Sequence, residues 1–120
     1  RHHLVAYAAE DIVVENILFN TGKATLRSES FVELDKLVRL LNENPQVRIE
    51  VSGHTDNVGS ASLNKRLSKE RALSVKNYLQ LKGIDASRIE YEGYGFDRPI
   101  EPNTTEAGRA ANRRVEIEVK

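Results

Sequence analysis

Asp56 and Arg71 are the two side chains whose type and spacing suit ligand chemistry. Read as a helix, residues 62–82 (SLNKRLSKERALSVKNYLQLK) gather Leu63, Leu67, Val75, Tyr78 and Leu79 into one apolar stripe. At about 100° per residue, Arg71 falls near the middle of that stripe, with Asn64 and Ser68 on the same face. A cation aimed inward must find a partner. The nearest acid is Asp56, in the loop GHTDNVGS just before the helix. A fixed acid and a fixed base beside one short loop suit a ligand that carries both charges, such as an amino-acid head group. The plainer alternatives stay open at this point. Asp56, followed by Asn57 and Gly59, also suits a turn or a helix cap. Arg71 also suits a structural ion pair, and Asn64 a first-turn polar group.

Other chemistries lack their parts. There are three histidines and no cysteine, so neither a metal centre nor thiolate chemistry is expected, and no cofactor is implied. Ser52, His54 and Asp56 lie too close along one loop for a nucleophilic triad, and no GxSxG elbow occurs. His54 reads as a satisfied core or edge histidine. The domain is therefore not expected to be an enzyme. Eighteen basic residues balance 18 acidic ones, and no basic stripe is present, which argues against nucleic acid as a partner. No apolar run is long enough to span a bilayer, so membrane attachment would come only through a segment upstream.

The elements that must position these residues read in order along 120 residues, the size of one domain. Residues 1–11 read as linker or as the leftover of an expression tag, and 12–120 as the domain. Ile12 to Phe19 reads as a first strand, broken by Asn20-Thr21-Gly22-Lys23. Ser30 and Glu33 have capping-box spacing ahead of a helix marked by Phe31, Leu34, Leu37, Val38 and Leu41, which stops at Asn44-Pro45. Val47, Ile49 and Val51 alternate as a half-buried strand. The long helix follows, ended by Gly83. Ile89 and Tyr91 mark a short strand, Thr105 to Ala111 a short helix, and Val115, Ile117 and Val119 the last strand. The order β-α-β-α-β-(α)-β predicts an α/β two-layer sandwich. Its helices lie on one face of a mixed four-stranded sheet, and the Val47 and Ile89 strands run parallel through a right-handed crossover. Arg113 and Arg114 fall on opposite sides of the last strand, so at most one of them enters a groove near Asp56.

The string GHTDNVGSASLNKRLSKERALSVKNYL, followed by GYG, PI and GRAANRRVEI, closely resembles the OmpA-like C-terminal domain family, which includes the periplasmic domains of OmpA, Pal and MotB. The likeness runs from about Val14 to Val119 and rests on HTDxxG, NxxLSxxRA and NRR in that order. It implies non-covalent binding of peptidoglycan through the diaminopimelate of the stem peptide. On this resemblance Asp56 and Arg71 are the ligand-binding acid and base, and Asn64, Leu67 and Arg113 line the same groove. The first loop departs from the family: many members carry an aspartate where this chain has Asn20. Its backbone N–H groups, with Asn20 and Thr21, are still expected to contact the ligand. The resemblance further implies a periplasmic domain of an outer-membrane or cell-envelope protein of a Gram-negative bacterium. Its parent would be a barrel, a lipoprotein or a stator, and homodimerisation stays open. The competing reading is an assembly module of a stator or outer-membrane hub whose partners are proteins.

Overall fold

A computed structural model describes residues 11–12, 17–20 and 22–120. Its elements are β1 (Asp11–Ile12), α1 (Glu29–Glu43), β2 (Ile49–His54), α2 (Ala61–Leu81), β3 (Ile89–Gly93), α3 (Glu106–Asn112) and β4 (Arg114–Val119), with a 3-10 turn at Ala86–Arg88. β2 pairs parallel with β3 and antiparallel with β4. Three strands of five or six residues thus make the working sheet. Asp11–Ile12 adds only a two-residue antiparallel pairing on the outer edge of β4. Of the expected first strand over Ile12–Phe19, only Ile12 belongs to a strand among the described residues. Residues 13–16 lie outside the described part, and Phe19 makes an isolated bridge to Leu26 instead. The mixed α/β layout stands, but the sheet is three full strands rather than four.

Ser30 corrects a second expectation. α1 begins at Glu29, one residue before it, with Ser28 at the N-cap position and no side-chain cap. The Ser30 hydroxyl is buried inside the first turn, donating to the Leu18 carbonyl at 2.9 Å and accepting from the Leu18 N–H at 2.6 Å. The hydroxyl that the S-x-x-E spacing reserved for capping fastens the 17–20 segment to α1. Tyr78 ties α1 to α2 from the other side, through a 2.6 Å hydrogen bond to Asp35 and stacking on Phe31 at 4.9 Å.

One core unites the helices and the sheet. Leu34, Leu37 and Leu41 of α1, Val75 and Leu79 of α2, and Ile49, Val51, Ile89 and Ile117 of the sheet are almost fully buried. Each is worth roughly 1.5–3 kcal/mol of transfer free energy. On the helix face of the sheet, the rows across neighbouring strands read Val119–Ile49–Ile89, Ile117–Val51–Tyr91 and Val115–Gly53–Gly93. The last row explains how α2 sits. A Cβ at Gly53 would run into the Ser68 carbonyl, and one at Gly93 into the Lys69 backbone nitrogen. The N-terminal half of α2 therefore lies with its backbone almost on the sheet, and only small side chains fit beneath it.

That approach shifts the buried stripe of α2. Its buried positions are Asn64, Ser68, Ala72, Val75 and Leu79, whereas Leu63 is 51% exposed. Arg71 therefore lies on the flank of the stripe, half-buried, and not near its middle as the apolar spacing predicted. The helix ends are chemically defined. The Ser60 hydroxyl accepts from the Leu63 N–H, and Gly83, at φ 97°, lets the chain reverse so that Ile84 N–H donates to the Leu79 carbonyl.

Candidate functional site

The loop after β2 builds the acid. Thr55 N–H donates to the Gly95 carbonyl at 2.8 Å, which ties the strand end to the loop after β3. Asp56 is 7% exposed. Its Oδ1 accepts from the Val58 N–H at 3.0 Å, and the Asn64 amide holds the Val58 carbonyl at 2.9 Å. Asn64 thus clamps the loop that carries the acid; its amide nitrogen is spent on backbone.

Asp56 is not paired with Arg71. Its Oδ2 receives Arg113 Nη1 at 2.6 Å, and the same guanidinium sends Nη2 to Glu106 Oε2 at 2.7 Å. α3 positions this bridge. Thr105 caps the helix through the Gly108 N–H, Glu106 opens the first turn, and Arg113 sits at the C-cap. The flanking carboxylates, Glu106 first, hold the Arg113 pKa above its ordinary value. Arg114 turns elsewhere, to Glu116 and to the Arg98 and Asn112 carbonyls.

Arg71 has a different setting. Its Nε donates to the Lys23 carbonyl at 2.9 Å, and its guanidinium lies 4.9 Å from the centre of the Phe19 ring. Ser74 holds the Ala24 carbonyl at 2.6 Å, so the 22–26 segment is docked along α2. Among the described residues no carboxylate neutralises Arg71, and its terminal nitrogens take no hydrogen bond. Burial, and then the positive charge of Arg113, push its pKa down. Arg113, which touches Asp56, is thus also the charge that acts on Arg71. Leu67, one turn before Arg71 on α2, is half-buried. The first loop meets Arg71 through the Lys23 carbonyl and the Phe19 ring. Asn20 spends its backbone N–H on the Thr25 carbonyl. Thr21 lies outside the described residues.

Two other features carry no catalytic constellation. Ser52 Oγ is 3.0 Å from His54 Nε2, but both side chains are buried and His54 Nδ1 has no partner among the described residues. Asp56 is held by Val58 and Arg113, and the carboxylate near the imidazole, Glu116, lies 4.0 Å from Nε2, the nitrogen already facing Ser52, so it is not placed to orient the ring from Nδ1. An open cavity of about 370 Å³ is lined by Ala61, Ser62, Lys65, Tyr94, Gly95, Phe96 and Asp97; neither Asp56 nor Arg71 is among its walls.

Residues 18–113, from the first loop to Arg113, match the profile of the OmpA family. The chain belongs to the OmpA family. It is 40% identical over 116 residues to outer membrane porin F of Pseudomonas fluorescens, covering 96% of this chain and 36% of that protein. It is 42% identical over 112 residues to outer membrane protein A of Bordetella avium, covering 93% of this chain and 58% of the relative. Among solved structures it resembles the peptidoglycan-associated lipoprotein of Burkholderia pseudomallei, with a TM-score of 0.80, 26% identity, and 87% and 88% of the two chains covered. It also resembles the cell wall anchor of the T6SS of Pseudomonas aeruginosa, with a TM-score of 0.76, 34% identity, and 88% and 76% covered. The relatives are thus outer-membrane and envelope proteins, and among the described residues no helix is long and apolar enough to cross a membrane. The OmpA-family chain spans about a third to three-fifths of the length of these two curated relatives.

Glu106 was not singled out in the sequence, yet the signal was there. It lies seven residues before Arg113, two turns of a helix, and so falls on the same face. Phe19 was placed in a strand, which hid its role as the ring beneath a cation.

Proposed function

We propose that this OmpA-family domain binds peptidoglycan non-covalently through the diaminopimelate of the stem peptide and so tethers an envelope protein, from the periplasmic side, to the cell wall. The reading rests on Arg71, a half-buried guanidinium with no carboxylate partner among the described residues, and on Asp56, a buried acid paired with the Arg113 guanidinium. Meso-diaminopimelate in an uncrosslinked stem offers a free ammonium and a free carboxylate on one carbon. Arg71 presents a planar fork to the carboxylate. Asp56 accepts from the ammonium, and Leu67 walls the methylenes between. The family membership and the likeness to a peptidoglycan-associated lipoprotein and a cell wall anchor support this assignment. The domain is a binder, not a hydrolase.

Titration of a diaminopimelate-containing muropeptide into wild type and Arg71→Ala tests the reading. A hydrogen-bonded charge contributes roughly 1.5–3 kcal/mol, so the variant should lose at least about tenfold in affinity. Equal affinities would remove Arg71 from the mechanism.

A further inference from the structure

Both Asp56 oxygens are engaged before any ligand arrives. Oδ1 accepts from the Val58 N–H and Oδ2 from Arg113. An incoming ammonium therefore meets a guanidinium already seated on the acid it needs, and like charges repel there. Arg113, however, is shared. Its second terminal nitrogen sits 2.7 Å from Glu106 Oε2, and Glu106 is itself braced by Arg109 Nε at 3.2 Å through its other oxygen. The two carboxylates differ in setting: the Asp56 side chain is 10% exposed and that of Glu106 is 67% exposed.

Resting on the reading above, we propose that Glu106 is a positioning residue for ammonium recognition: it retains Arg113 when the ligand's ammonium displaces that guanidinium from Asp56. Arg113 then keeps a carboxylate partner while it swings, and its charge moves away from the ammonium. Without Glu106, Asp56 would be the only carboxylate bonded to Arg113, and self-pairing would compete with the ligand. Hydrogen bonds from Arg113 and Arg109 hold the Glu106 carboxyl below the usual range, so it stays ionised wherever the site is in use.

Glu106→Gln keeps the shape and removes the charge. The side chain is exposed, so the fold should persist, which a thermal melt of the variant verifies. Affinities for the diaminopimelate muropeptide are read by NMR shift titration, which reaches millimolar Kd. The variant should bind about two- to fivefold more weakly than wild type. The same substitution in an Arg113→Gln background should have no further effect, because Glu106 acts only through Arg113. A loss that persists undiminished in that background, or no loss in the wild-type background, overturns the proposal. Wild type that fails to bind the muropeptide removes the reading beneath it as well; wild type that binds beside an indifferent Glu106→Gln removes this proposal alone.

Discussion

His54 stacks against Tyr94, with ring centres 5.4 Å apart, and is buried on the far face of the sheet, its Nδ1 unpartnered among the described residues. Burial and the nearby Arg114 and Arg98 charges pull its pKa from 6.5 to about 4, against the opposing pull of Glu116. The unfolded chain therefore binds the extra proton first as pH falls. The stability from a neutral His54 is complete above about pH 6.5 and is lost on descent towards about pH 4. The whole effect is on the order of 3 kcal/mol at most, with roughly 2 kcal/mol gone by pH 5. Urea midpoints at pH 7.5 and 5 should therefore fall further apart in wild type than in His54→Gln. Identical pH dependence would contradict this account. At this scale residue types were legible and partners were not. The guanidinium and the acid stood out by their places in α2 and its loop. The residue that holds Asp56, however, lies 57 positions downstream, and only the folded chain brings it back.

Elements defined by their own ends were the readable ones. α2 carries Ser60 at its cap and Gly83 beyond it, and α3 carries Thr105, so local chemistry fixed where each begins or stops. β3 and β4 follow their alternation. The first strand was less legible because pairing is non-local: IVVENILF has strand composition, but among the described residues the outer edge of β4 pairs with Asp11 and Ile12, while Phe19 bridges to Leu26. The buried stripe of α2 shifted for a related reason. Apolar spacing locates the greasy side of a helix, but the glycine row of the sheet decides how close that helix comes and which small residues go underneath. Gly93→Ala tests this closeness directly. Its methyl would strike the backbone of Lys69, which cannot swing aside as a side chain does. The cost should reach the upper end of overpacking, about 3 kcal/mol or more. Chemical denaturation reads it, and a change below about 1 kcal/mol would mean that α2 is not pinned by this contact.

The whole domain has no net charge to draw it to a polymer, so the proposed recognition would rest on local contacts at Asp56 and Arg71. A single zwitterionic head group limits intrinsic affinity, and many copies facing one continuous wall would raise the effective strength without new contacts. The central claim is that Asp56 and Arg71 read two charges on the same ligand carbon. It is tested most directly by comparing two muropeptides, identical except that one stem carries diaminopimelate and the other lysine. The lysine stem keeps the ammonium and lacks the carboxylate, so it leaves Arg71 without its partner. The account predicts at least about tenfold weaker binding of the lysine form, in line with the cost of an unpaired buried polar group. Equal Kd values for the two would contradict it.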